Sequence, residues 1–192
     1  MKRTFALVAA IPLCFAAQAA KAQGIGLKGG LVFNNVSNRG ALPGSLERHT
    51  GFTAGLTAST YKGPLGVGIE ALYAQRGLNG ATASDNRRLD YVDIPAYLRV
   101  MIPTSGIAPY LFAGPQVSFE LRCRDGGTDC SSGRPKTSYA GIIGAGVFFG
   151  EHNGLSVEGR YMYGLTDLKL NTVTTSDSYK TRSFMVLAGI HF

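Results

Sequence analysis

The chain has 192 residues, with 19 Lys and Arg against 12 Asp and Glu, and it contains 26 glycines. This length predicts one domain. After the N-terminus no run approaches the roughly 18 consecutive apolar residues of a membrane-spanning helix, so a helical membrane protein is not expected. Hydrophobic residues still make up 45% of the chain, in short alternating runs. Such runs are found in soluble β proteins and in transmembrane β-barrels.

The N-terminus has the three parts of a secretory signal peptide. Lys2 and Arg3 supply the positive region, residues 5–17 are apolar but too short to span a bilayer, and residues 20–22 form an A-x-A cleavage site. We therefore predict a signal peptide over residues 1–22, removed after export, and one domain over residues 23–192. The alternative is a buried N-terminal helix.

The rest of the chain alternates strand-like runs with turn-rich segments. Strands are predicted at about 24–34, 51–61, 65–76, 89–102, 107–121, 138–149, 154–166 and 182–192. They are longer than the strands of most soluble sheets and reach the roughly 9–11 residues that a tilted strand needs to cross a bilayer. Tight turns alternate with long polar loops, as in outer-membrane barrels, whose short turns are periplasmic. The pattern predicts an all-β fold, an eight-stranded antiparallel up-and-down transmembrane β-barrel.

Apolar and polar residues alternate with a period of two inside these strands, so each strand has one face of each kind. In a transmembrane barrel the apolar face meets lipid and the polar face lines the lumen. That orientation puts four cations and four anions inside: Lys28, Glu70, Arg76, Asp93, Arg99, Glu120, Glu158 and Arg160. Because buried charges must be paired, this balance predicts a closed, salt-bridged lumen. The alternative is a solvated face of an open sheet.

Aromatic residues and prolines add three expectations. Phe192 ends an alternating apolar strand, which resembles the signal read by the barrel assembly machinery, so that machinery is an expected partner. Pro95 and Pro115 cannot donate to a strand ladder and predict a bulge or a ladder break at each position. Aromatic side chains near strand ends are expected to form interfacial belts: Tyr61, Tyr73, Phe119, Phe149 and Tyr163.

Several segments resemble one family, in the same order along the whole mature chain. They include GLKGGLVFN at 26–34, IEALYAQRG at 69–77, LDYVDIP at 89–95 and PYLFAGP at 109–115. On these motifs the chain is identified as a member of the porin-family outer membrane protein β-barrel group, which includes PorT-like proteins. The resemblance implies the barrel fold and an outer-membrane location. PorT-like members are implicated in protein secretion, which makes secretion-complex proteins candidate partners.

The sequence offers no catalytic or metal-binding constellation. His49, His152 and His191 fall in a loop, a turn and the last strand, whereas a nucleophile and its base must lie within about 3 Å. We therefore predict a protein that is not an enzyme and has no metal or cofactor. A Ser–His site that uses His49 and Ser45 is an alternative. His191 alternates inward, and we expect it to pair with a lumen acid.

The two cysteines of the mature chain, Cys123 and Cys130, lie in one polar segment. Because export leads to an oxidising compartment, they predict a disulfide that closes this loop. The alternative is a metal site, which no nearby histidine supports.

The long loops and their flanks have an excess of basic residues. The cations are Arg39, Arg48, Arg87, Arg88, Arg122, Arg124, Arg134, Lys136, Lys169, Lys180 and Arg182. At an outer surface they would suit the anionic groups of lipopolysaccharide, since arginine binds phosphate bidentately. The alternative is a solvated loop set, and nucleic acid is not expected as a partner in this compartment.

The favoured function is that of a non-enzymatic outer-membrane barrel in envelope structure, adhesion or a secretion assembly. Its expected partners are outer-membrane lipid and, as a further candidate, lipopolysaccharide. The alternatives are a small porin-like pore or ligand-binding barrel, a lipid-modifying outer-membrane enzyme, and a soluble lipocalin-like barrel.

Overall fold

The structure is a computed structural model that describes residues 24–37, 50–78, 87–102, 104, 106–125, 128–129, 136–150, 153–165 and 180–192. Its strands are β1 (Gly24–Ser37), β2 (Thr50–Lys62), β3 (Leu65–Leu78), β4 (Arg87–Met101), β5 (Ile107–Asp125), β6 (Thr128–Asp129), β7 (Thr137–Gly150), β8 (Gly154–Gly164) and β9 (Lys180–His191). No helix within these ranges is long and apolar enough to cross a membrane. The predicted signal peptide lies outside the described residues.

Eight long antiparallel strands close into a barrel. Their order is β4-β3-β2-β1-β9-β8-β7-β5, and pairing of β4 with β5 completes the circle. The two-residue strand β6 pairs with the end of β5. A closed barrel leaves no edge strand open to other chains, and with eight strands its interior is narrow enough for side chains to fill. The predicted eight-stranded antiparallel barrel is thus confirmed.

Tight turns join the strands at one end of the barrel. Gly63 lies between β2 and β3 with φ of 63°, and Gly106 precedes β5 with φ of 81°. These angles are in the left-handed region, where a side chain is strained and glycine is not. The turns leave the strands on either side almost fully paired, for example Lys62 with Leu65. By the usual asymmetry of such barrels this is the periplasmic end.

The alternation of the strands places apolar side chains outside and charges inside. Leu98, Leu111 and Ile143 are each more than 60% exposed on the outer wall, whereas Lys28 and Arg160 are at most 3% exposed in the lumen. An apolar wall of this extent is suited to lipid and not to water. This arrangement agrees with the predicted faces and rules out a soluble barrel with an apolar interior.

Each proline interrupts the strand ladder, which is one of the two outcomes predicted for it, but neither proline forms a bulge. Pairing pauses beside Pro95 on β4 and beside Pro115 on β5, but the register continues unchanged past both. The register shift lies instead between Asp90 and Tyr91, where β5 contains one residue more than β4. A missing N–H removes one hydrogen bond, but it does not require an extra residue, so the ladder is interrupted without a bulge.

Candidate functional site

Four charged side chains meet at the middle of the lumen. Nζ of Lys28 lies 2.7 Å from Oε1 of Glu70 and 2.9 Å from Oε2 of Glu158. Nη2 of Arg160 lies 2.8 Å from Oε2 of Glu70 and 2.6 Å from Oε1 of Glu158. Each cation thus bridges both carboxylates, and we call this cluster the central quartet. Its formal charges cancel, which is what burial away from water requires.

The central quartet crosses the full width of the barrel. Glu70 is on β3 and Arg160 is on β8, and β8 is the fourth strand from β3 in either direction round the ring. Tyrosines complete the layer, because the hydroxyl of Tyr97 donates to Glu70 at 3.0 Å and that of Tyr110 donates to Glu158 at 2.8 Å. The guanidinium carbon of Arg160 lies 5.1 Å from the ring centre of Phe112.

A second set of side-chain contacts across the lumen lies nearer the outer end of the barrel. Arg76 on β3 forms a salt bridge with Asp93 on β4 and lies over the ring of Tyr91, 4.9 Å from its centre. The same guanidinium reaches the sulfur of Met162, 3.4 Å away on β8. Gln116 also donates to this sulfur, at 3.2 Å. Side chains from opposite walls therefore meet at two levels of the lumen.

Arg99 occupies the periplasmic half of the lumen in a different setting. Its guanidinium donates to the hydroxyls of Tyr61 at 2.5 Å and Tyr97 at 3.2 Å. It also lies 4.2 Å from the ring centre of Tyr110. In the part of the chain that the structure describes, no carboxylate lies within ion-pair distance of Arg99. We call Arg99 and these three tyrosines the tyrosine cage.

Lumen aromatics stand directly opposite glycines on the neighbouring strand. The four register pairs are Tyr61 with Gly66, Tyr97 with Gly68, Tyr110 with Gly146, and Phe112 with Gly144. A Cβ atom at Gly146 would lie only 2.5 Å from the ring of Tyr110, so glycine is what lets this ring lie flat on the wall. Covering a strand glycine with an aromatic ring is a known way to pin strand register.

These aromatics are what the sequence interpretation missed. The sequence pattern puts Tyr97 and Tyr110 on the polar faces without a role, and it predicts an interfacial belt position for Tyr61. That assignment was wrong: Tyr61 contacts Arg99 in the lumen, because β2 presents its odd-numbered residues inward. The available signal was the pair of Gly-x-Gly segments, 66–68 and 144–146, which provide space for rings on the next strand.

The eight predicted lumen charges are all buried, but they are not grouped as one network. Four form the central quartet, Arg76 and Asp93 form their own pair, and Arg99 belongs to the tyrosine cage. Glu120 accepts a hydrogen bond from the hydroxyl of Tyr91 at 3.3 Å. Depth along the barrel separates these groups, and alternation along a strand specifies the face but not the depth.

His191 bonds to a serine and not to the lumen acid that we expected. Its Nε2 lies 2.8 Å from Oγ of Ser156, and both side chains are buried. The ring of Phe148 packs edge-on against the imidazole, with centroids 5.4 Å apart. Ser156 is 1% exposed and His191 4% exposed, so the pair is enclosed in the lumen. His49 and His152 lie outside the described residues.

The remaining predicted features are at the strand ends. Phe192 is 64% exposed, and its backbone N–H donates to the carbonyl of Ile25 at 2.8 Å, which ties the chain terminus to β1. Cys123 is fully buried in β5. Cys130 lies outside the described residues, so the Cys123–Cys130 pairing stays a prediction. In the described ranges no group of three His, Cys, Asp or Glu side chains could hold a metal ion.

Comparison with protein families agrees with this geometry. The model of the family described as outer membrane protein beta-barrel domain matches residues 15–170. The chain belongs to this family. It is therefore an outer-membrane β-barrel protein, as the resemblance and the alternating strands predicted. No curated protein matches the sequence significantly.

Solved structures of bacterial outer-membrane barrels share the fold. Ail, the attachment invasion locus protein of Yersinia pestis, solved in complex with the heparin analogue sucrose octasulfate, is 16% identical with a TM-score of 0.50, covering 88% of this chain and 98% of that one. Neisserial surface protein A is 19% identical with a TM-score of 0.53, covering 88% and 97%. The outer membrane enzyme PagL is 16% identical with a TM-score of 0.51, covering 85% and 98%. At these identities the likeness concerns the fold alone.

Proposed function

We propose that this protein is a closed, non-enzymatic outer-membrane barrel that acts through its outer surface, in adhesion or envelope structure, and that its lumen conducts nothing. The observation that carries the proposal is the bridge from Glu70 to Arg160 across the barrel at 2.8 Å. A conducting pore would need a continuous water path at this level. In this structure the two charged groups occupy that level of the lumen, and Tyr97, Tyr110 and Phe112 lie in the same layer.

The charge balance of the lumen supports the same proposal. Porin channels have polar, water-filled interiors, whereas small eight-stranded barrels are filled by their own side chains. In the central quartet two cations are neutralised by two carboxylates at distances of 2.6–2.9 Å. Such a layer has no net charge that would select a passing ion.

An outer-surface role is also compatible with the known barrels of this shape. One of them, Ail, is an attachment invasion protein by its name, and another, PagL, is an enzyme. Nothing in the described lumen favours an enzyme, because the Ser156–His191 pair is enclosed. We therefore place this protein with the non-enzymatic surface barrels, and a secretion assembly would have to use the same outer or periplasmic surfaces.

Single-channel recording in planar lipid bilayers tests the proposal. The folded wild-type protein should show no stable openings. The double variant Glu70→Gly/Arg160→Gly removes the transverse bridge but leaves Lys28 paired with Glu158, so it keeps the lumen neutral and should admit brief openings. If the wild type shows stable openings, and the double variant shows openings of the same size, the lumen is not closed and the small porin-like pore is favoured.

A further inference from the structure

The outer ends of β4 and β5 carry a group of arginines on the outside of the barrel wall. Arg88 stands directly opposite Arg124, and Asp90 stands directly opposite Arg122. All three arginines are exposed, whereas Cys123, between the two on β5, is fully buried. Alternation therefore directs the three guanidinium groups outward, away from the lumen. We call them the arginine cluster.

The register shift of β5 is what turns Arg122 and Arg124 outward. Up to Glu120 the even-numbered residues of β5 are buried, as Gln116 and Ser118 show. Continued without interruption, the same alternation would direct Arg122 and Arg124 into the lumen. One extra residue at the shift between Asp90 and Tyr91 reverses the faces. Bulges commonly re-aim side chains in this way near functional sites.

The depth of the cluster can be estimated from β4. Its outward face is apolar from Val92 to Ile102, a separation of ten residues. At about 3.3 Å per residue and a strand tilt near 40°, this stretch covers about 25 Å, which is the height of the lipid-facing band of such barrels. Arg88 comes four residues beyond Val92, at the level of the outer-leaflet headgroups.

The arrangement inside the cluster leaves positive charge unneutralised. Like charges directly opposite on neighbouring strands are destabilising, and their Cβ atoms lie only about 5 Å apart. Asp90 contacts Arg88 at 3.3 Å, and elsewhere in the described chain no carboxylate lies within ion-pair distance of Arg122 or Arg124. On β6, Asp129 stands opposite Arg124 in the register. Three arginines against Asp90 and Asp129 still leave the cluster with one positive charge in excess. Two neighbouring guanidinium groups can bind one phosphate through several hydrogen bonds.

We propose that the arginine cluster binds the phosphate groups of an outer-leaflet lipid, of the kind that lipid A of lipopolysaccharide carries. The cluster faces sideways from the wall, directly above residues that must contact acyl chains. The row beneath it is Tyr73, Val92 and Phe119, paired in register. Tyr73 also hydrogen-bonds with Arg88, so the interfacial ring and the phosphate-binding group form one surface. A lipid has both the acyl chain and the phosphate that this surface accommodates. A soluble glycan has no acyl chain and is not held at the depth of the lipid headgroups.

Native mass spectrometry of the folded mature protein in neutral detergent tests this proposal. The probes are diphosphoryl lipid A and the same lipid without its phosphates. The wild type should retain the phosphorylated form in preference. Arg88→Gln/Arg124→Gln should lower that preference on the order of tenfold or more, since hydrogen bonds to charged groups are strong. The single variant Arg124→Gln should show a smaller loss in the same direction.

Arg182→Gln is the matched control. Arg182 lies at the same end of the barrel on β9, the fourth strand from β4 in either direction, and its guanidinium lies 5.5 Å from the ring centre of Tyr163. This variant should keep the wild-type preference. Equal retention of both lipids by the wild type would overturn the proposal, as would an unchanged preference in variants whose heat-dependent gel mobility shows a folded barrel. Displacement of the lipid by equimolar sucrose octasulfate or inorganic phosphate would also overturn it, in favour of a soluble anion.

Discussion

The central quartet and the tyrosine cage stabilise buried cations in two different ways. In the central quartet Lys28 and Arg160 each contact two carboxylates. In the tyrosine cage, one level closer to the periplasm, Arg99 contacts hydroxyls and ring faces. The layers are joined, because Tyr110 donates to Glu158 while its ring lies against Arg99.

The difference lies in the kind of partner that replaces the water lost on burial. A charge at the middle of the barrel has lost its hydration, and in the central quartet opposite charges at close range compensate for that loss. Tyr61, at the periplasmic end of the cage, is only partly buried. Arg99 itself is only 2% exposed, and it is stabilised by hydroxyls and aromatic faces, each contributing on the order of 1–3 kcal/mol. Central charges should accordingly be much less tolerant of substitution than Arg99.

The largest effect is expected for Glu70→Gln. It leaves Lys28 and Arg160 sharing the single carboxylate of Glu158, which is one uncompensated buried cation. Breaking a buried ion pair in this way costs about 3–5 kcal/mol of unfolding free energy. Reversible urea unfolding in lipid vesicles, followed by the gel-mobility shift, would measure it.

The exposed variant Arg122→Gln serves as the control and should change this free energy by less than about 0.5 kcal/mol. Adding Lys28→Met to Glu70→Gln should recover part of the loss, because the quartet then returns to one cation and one anion. If the double variant is less stable than Glu70→Gln by the full cost of Lys28→Met alone, the charges are not coupled and the comparison between the layers fails.

Gly146→Ala should sharpen the comparison, because it disturbs the tyrosine that belongs to both layers. The added methyl would lie 2.5 Å from the ring of Tyr110, and the ring must move away from both Arg99 and Glu158. We expect a loss of about 1–3 kcal/mol, as for other overpacked sites. Gly141→Ala in the same strand is the matched control, since its Cβ would have no neighbour within 4 Å. Equal unfolding free energies for the two variants would show that the ring can shift freely.

The sequence allowed the wall to be predicted, but not the contacts inside it. Period-two alternation assigned Lys28 and Glu158 to the lumen, and the long strands predicted closure. Which charge meets which depends on depth and on cross-barrel distance, which are set by the stagger of eight strands and not by any one of them. Arg99 therefore appeared equivalent to Arg160 in sequence, although one contacts tyrosines and the other carboxylates. The register shift at Asp90 likewise has no signal in the local sequence. The prolines did suggest an irregularity, but the register continues unchanged past both of them.

Arg99→Met tests the weaker layer directly. Methionine retains much of the side-chain volume and removes a cation that has no carboxylate partner in the described lumen. The loss of two hydrogen bonds and one close ring contact is largely offset because the charge no longer has to be buried, so the net cost should be about 1–2 kcal/mol. Arg160→Met, by contrast, leaves Glu70 and Glu158 with one cation between them and should cost clearly more. Equal losses in urea unfolding would remove the distinction between the central quartet and the tyrosine cage.

The smallest effect is expected at Ser156, whose hydroxyl bonds His191 at 2.8 Å. Ser156→Ala removes one buried neutral hydrogen bond and should cost about 1 kcal/mol, within the range for such bonds. If the pair only satisfies two polar groups below the tyrosine cage, neither overexpression of the wild type nor of this variant should alter the mass of lipid A. A change in lipid A mass with the wild type that disappears with Ser156→Ala, while the gel-mobility shift persists, would instead make Ser156 a nucleophile. That result would also require the lumen to open at its periplasmic end, since a serine that is 1% exposed in the closed barrel cannot reach a lipid.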